Sequence, residues 1–226
     1  FMVNVLQAFK PQIIKEYSVG NIERMGKLMC TECDILFFFL SLIFVPLYIN
    51  LEYIMQLWLN NVPAYAVAFC KILLIYNVFS IATQILQDGI HATGNIKKMS
   101  FSIGILNLFC LLLTYAFFIW NFDAQFAYIA MVICLFIQTI INLIIQKCLV
   151  KNFPIHKYVL CIVKGCAILL FVLFVLEYLS SSIYNPLAKV IFTIGLNTIF
   201  LLIINSLVFP AYRKTILSVL KRKVNE

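Results

Sequence analysis

Charge is what this chain has least of. Lys, Arg, Asp and Glu make up 12% of its 226 residues and hydrophobic residues 64%, against about 25% and roughly 45–50% in a soluble domain. A soluble fold of this size cannot hide so much apolar surface, so the solvent for most of the chain is lipid. Histidine is nearly missing: only His91 and His156 occur, both in polar connectors. No carboxylate pair lies near the middle of an apolar run, and no Arg lies in one. That leaves little from which to build a hydrolase or transferase, and an enzyme is not expected. No Gly-rich nucleotide loop is present; Asp88–Gly89 and Thr93–Gly94 read as helix-end and turn signals. Asp88 and His91 would share one face of a helix end, where they read as two polar groups in water.

Cysteine is plentiful, at eight residues, but not as a framework. Most lie in apolar runs, where Cys behaves as a small hydrophobe. Cys30-x-x-Cys33 has no second pair and no nearby His, so a zinc site lacks half its ligands. No metal or cofactor is expected.

What the chain does have is a series of long apolar runs: Ile35–Leu51, Tyr65–Leu86, Phe101–Trp120, Phe126–Ile145, Tyr158–Leu179 and Leu187–Phe209. Each is long enough to cross a bilayer as a helix, and none alternates as barrel strands do. Pro46 predicts a kink in the first, and Pro210 ends the last. The fold class expected is therefore an all-α integral membrane protein, a bundle of six transmembrane helices. Phe1–Phe9 is too short to span and reads as the end of a truncated helix. The longest polar stretch, Lys10–Leu28, reads as a loop. The parts are then residues 1–34, a helix end plus loop; 35–150, four spans; 151–210, two more; and 211–226, a basic tail.

The net charge of +8 is spread over connectors, with no compact basic patch among exposed aromatics, which argues against nucleic acid. It reads instead as topology information and contact with anionic membrane lipids. If connectors alternate sides, 14 of the 17 Lys and Arg fall on one side, and the connectors 52–64, 121–125 and 180–186 hold none. Positive charge marks the cytoplasmic side, which puts both ends inside. Tyr53, Trp58, Tyr65, Trp120 and Tyr184 flank the other side, as interfacial aromatics do.

Lys71 and Lys164 are the anomalies, each six residues inside its run and so about 9 Å from the helix end. A lysine stem can snorkel back from that depth; alternatively both line a hydrophilic path for an anionic substrate. Asn77, Thr83, Gln84 and Gln87 continue polar positions along the run that holds Lys71, with Asn77, Gln84 and Gln87 close to one helical stripe. The candidate substrate-binding set is Lys71, Asn77, Gln84, Gln87 and Lys164. Asn107, Thr114, Gln138, Asn142, Asn197 and Asn205 read equally as interhelical hydrogen bonds, Gln138 and Asn142 sharing a face.

Three segments carry a resemblance. Ala8-x-x-Pro11-Gln12-Ile13-Ile14-Lys15-x-Tyr17-x-x-Gly20-Asn21, followed by Met25 and Leu28, resembles the cytoplasmic loop in the second half of bacterial polysaccharide flippases, members of the multidrug/oligosaccharidyl-lipid/polysaccharide exporter superfamily. Leu57-Trp58-Leu59-x-x-Val62-Pro63 resembles their next outer loop, and Ala92-Thr93-Gly94-Asn95-Ile96-Lys97 the inner loop after it. The match covers about residues 1–120. The resemblance implies the C-terminal part of a two-lobe protein, its N-terminal lobe lying outside this chain, in the bacterial inner membrane with the C-terminus cytoplasmic. It also implies an undecaprenyl-pyrophosphate-linked oligosaccharide as cargo, moved by alternating access. In that setting Pro11 and Gly94 break helices, Gly20 turns the loop, and Lys71 has a pyrophosphate to meet. A small-molecule antiporter of the same fold usually buries acids in its spans for ion coupling, and here none is expected. Also open are a membrane enzyme of polysaccharide assembly, such as a polymerase or an acyltransferase, and a purely structural subunit.

Overall fold

The structure is a computed structural model. It describes the backbone of residues 2–59 and 61–208 and the side chains of residues 4–59 and 61–204. The described chain is helical throughout: α1 (Met2–Ser18), α2 (Ile22–Ile49), α3 (Leu51–Trp58), α4 (Ala66–Ala92), α5 (Lys97–Ile119), α6 (Phe126–Leu149), α7 (Ile155–Ser180) and α8 (Pro186–Val208). Six of these, all but α1 and α3, are long and apolar enough to cross a membrane. The basic tail from Ala211, Pro210 and the side chain of Asn205 lie outside the described residues.

The polar stretch Lys10–Leu28 is not a loop. Pro11 sits inside α1, which runs on to Ser18. A proline removes one backbone hydrogen bond, but Leu6 and Ile13 on either side of it are buried against α2 and α4, on which α1 packs. What does stop the helix is Gly20, at φ +79°, a conformation that a Cβ disfavours. Asn21 then caps the next helix, its Oδ1 accepting from the backbone N–H of Arg24 at 3.2 Å. The charges thus stand on two helices of a hairpin. Arg24 pairs with Glu16 across the turn at 3.3 Å, and Lys27 with Glu23 within α2 at 2.9 Å. As a result α2 begins 13 residues before the apolar run Ile35–Leu51 and carries Glu32 and Asp34 as helical residues. Gly94, at φ +73°, does separate α4 from α5 as expected.

α2 is the hub. It packs on α1, α4, α7 and α8, and Met25, Met29, Cys33, Leu36, Leu40 and Phe44 form a continuous buried stripe along it. α7 comes close: a Cβ on Gly165 would meet the Phe37 ring at 2.6–2.9 Å. α8 is tied to α2 by polar side chains. Asn50 Nδ2 donates to Thr193 Oγ1 at 2.8 Å, and Asn197 Nδ2 to the carbonyls of Ser41 and Leu42 at 3.2 and 3.1 Å. The other half of the bundle is a row in which α4 packs on α6 and α6 on α5. α5 buries none of its most apolar stretch.

Candidate functional site

α5 packs extensively only on α6, although α4 precedes it in the chain. α4 and α5 therefore flank an open cleft with α6 as its floor, and a cavity of about 220 Å³ lies in it. α4 contributes Tyr76, Thr83 and Gln87, α5 Asn107 and α6 Gln138, among apolar neighbours such as Leu106 and Leu135. Tyr76, Thr83 and Gln87 stand at i, i+7 and i+11, one stripe of α4. No charged side chain is among the lining residues.

The floor is pinned by hydrogen bonds. Thr83 Oγ1 and Thr139 Oγ1 lie 2.6 Å apart, joining α4 to α6. Gln138 Nε2 donates to Ser102 Oγ on α5 at 3.1 Å and to Asn142 Oδ1 one turn on at 2.8 Å. Gln138 Oε1 is buried and has no partner among the described residues, which leaves an acceptor at the cavity wall.

Of the five residues singled out from the sequence, Gln87 lines this cavity. Gln84 is not among the lining residues and donates to Ser80 Oγ at 2.8 Å. Asn77 is exposed and bonds to the carbonyl of Leu73 in its own helix at 2.8 Å. Lys71 is at the opposite end of α4, its Nζ 5.3 Å from the centroid of the Tyr48 ring on α2. Lys164 lies beyond α2, its Nζ 3.9 Å from Asp34 Oδ1. The two lysines are not brought together. Gln138 and Asn142 do bond to each other, Asn107 faces the cavity, and Thr114 bonds within its own helix to the carbonyl of Cys110.

A second polar group, at the end of the bundle near Gly20 and Gly94, lies outside the set singled out from the sequence. Glu32, in the segment read as a polar loop, stands on α2 and is fully buried. Asp88 is not a solvated partner of the exposed His91. α4 continues past it, and Asp88 is buried with Lys10 Nζ of α1 at 2.8 Å from its Oδ1. Gln146, which hydropathy places in a connector, is fully buried on α6. Two signals could have found these residues. Gln138, Asn142 and Gln146 repeat every fourth residue, and Glu32 continues the Met25–Met29 stripe.

No protein-family model, no curated protein and no solved structure matches this chain.

Proposed function

We propose that this chain is part of a transporter that moves a lipid-linked oligosaccharide, an undecaprenyl-pyrophosphate-linked repeat unit, across the bacterial inner membrane by alternating access. The observation that carries this reading is the open cleft between α4 and α5. A membrane protein that only filled lipid would bury its amides against neighbouring helices. Here Gln87, Asn107 and Tyr76 face a cavity instead. Neutral amides and hydroxyls, each able to donate and accept, suit sugar hydroxyls. The cavity is smaller than the roughly 300–1,000 Å³ that encloses a whole small-molecule ligand. It would hold part of a glycan, with the far wall supplied by a second helical lobe facing α4 and α5. The most apolar stretch of α5, none of it buried, supports such a partner. Gly20 and Gly94, both at positive φ, supply the tight turns that the resembling inner loops need. Lys71 would reach a pyrophosphate only by leaving the Tyr48 ring.

The test uses cells whose surface polysaccharide depends on the full-length protein. Replacing Gln87 and Gln138 together by Leu should cut surface polysaccharide about tenfold, the effect of about 1.4 kcal/mol of lost hydrogen bonding. Protein level should stay normal while lipid-linked repeat units accumulate on the cytoplasmic leaflet. Normal surface polysaccharide without such accumulation refutes the reading. Glu32 favours a second reading, a small-molecule antiporter of similar architecture, since a buried acid is what ion coupling uses.

A further inference from the structure

Glu32 is fully buried, and neither of its carboxylate oxygens has a hydrogen-bond partner among the described residues. Its surroundings explain why none is available. Asp88 on α4 is the charged neighbour that acts on it, but the described cation at that carboxylate, Lys10 of α1, already sits 2.8 Å from Asp88 Oδ1. From α7, Tyr158 donates its hydroxyl to the carbonyl of Ala82 at 2.9 Å, and Cys161 lies beside Cys30 of α2. On α2 itself Cys33 is a free thiol and Asp34 points to Lys164. Lys189 of α8 and Glu52 of α3 stand at the other end of the bundle.

One more group in this part of the bundle is unsatisfied. Gln146 of α6 is fully buried, and neither its Nε2 nor its Oε1 is bonded among the described residues. Gly89 brings the three helices together: a Cβ there would fall 2.8 Å from Met29 Cε of α2 and 2.9 Å from Gln146 Nε2 of α6. Glu32 is the next buried residue after Met29 on the face of α2 that includes Cys33 and Leu36. A buried carboxyl and a buried amide, both without partners, thus stand at the seam where α4 separates α2 from α6.

We propose that Glu32, with Gln146 at the same seam, is a proton-binding site that is loaded in this packed arrangement and discharges when α2 parts from α4. An ionised Glu32 here would face Asp88 with no donor of its own, whereas the neutral acid carries no charge to solvate. Parting the helices admits water. The carboxyl O–H bond then breaks, its proton passes to water, and the same water solvates the carboxylate. A metal ion fits the site poorly. Among the described residues no group of three or more His, Cys, Asp and Glu is placed to hold one, and one carboxyl plus one amide is too few ligands. The proton site does not depend on a glycan cargo.

Infrared difference spectroscopy of the purified full-length protein in lipid nanodiscs tests it, with alkali as the perturbation. A protonated-carboxyl C=O band should be present at neutral pH, be lost as pH rises, and be missing from Glu32→Gln. A band that persists in Glu32→Gln, or no such band in the native protein, overturns the assignment. Asp88→Asn gives a second readout should Glu32→Gln fail to fold. Removing that negative neighbour and freeing Lys10 should move loss of the band to lower pH, and an unmoved titration counts against the site. Loss of the band on adding sodium chloride at constant pH would mean a sodium site and would equally overturn the proton.

Discussion

At the scale of single residues, the two lysines inside the spans have partners that their positions in the sequence do not disclose. A cation over an aromatic face is worth about 0.5–1 kcal/mol where it is partly exposed, and Lys71 stands over Tyr48 in this way. Tyr48 is itself stacked on Phe44, with ring centroids 5.4 Å apart, so the ring is held for the lysine. Lys71→Met should therefore lower stability by about 0.5–1 kcal/mol in a denaturant titration. The same change made on a Tyr48→Leu background should cost nothing further, since the ring is the partner. Equal costs in both backgrounds would assign Lys71 to something other than Tyr48, the cargo included. The Gln138–Asn142 pair is legible in the sequence because a spacing of four fixes a shared helix face without help from tertiary structure. Glu32 is not legible in this way. Its burial follows from α2 beginning at Ile22, and the basic residues around it make the segment read as solvated.

At the scale of helices, five of the six apolar runs locate their helices to within about two turns, because length and hydropathy alone decide whether a helix can cross lipid; the exception is α2, which starts 13 residues before its run. The segment 10–34 misleads because dense charge reads as loop. A helix can carry charges beyond the bilayer if they pair, as Arg24 and Lys27 do, and helix ends are set by Gly20 and Asn21 rather than by hydropathy. Glycines show which helix contacts are tight. At Gly165 a Cβ would press on the rigid Phe37 ring, so Gly165→Ala should cost about 1–3 kcal/mol, the usual range for overpacking. Gly104 of α5 has nothing within 4 Å of its Cβ position, and Gly104→Ala should be neutral or stabilise by up to about 1 kcal/mol through helix propensity. Unfolding of both variants in mixed detergent checks the pair. Similar losses at the two positions would mean that α5 has a packing partner that this chain alone does not supply.

At the scale of the whole molecule, the contacts sort the connectors into two sets. The start of α2, the end of α4 and the end of α6 meet at Met29, Gly89 and Gln146, and Gly26 of α2 abuts Pro154 before α7. At the other end Lys71 meets Tyr48, Phe69 lies 4.9 Å from Tyr128, and Asn50 bonds Thr193. The turns at 19–21, 93–96 and 150–154 thus share one side of the bundle. Lys10, Lys15, Arg24, Lys27, Lys97, Lys98, Lys147, Lys151 and Lys157 cluster toward it, and the opposite connectors hold no Lys or Arg. Ion pairing does not weaken this signal, because acidic residues contribute little to orientation. The basic side should therefore be cytoplasmic. Green fluorescent protein inserted after Asn95 in the full-length chain should fluoresce, and alkaline phosphatase inserted there should be inactive. Both results should reverse for insertions after Asp123. The opposite pattern would invert the bundle, and Glu32 would then exchange its proton with the outside, the compartment from which an inward proton gradient loads a carrier.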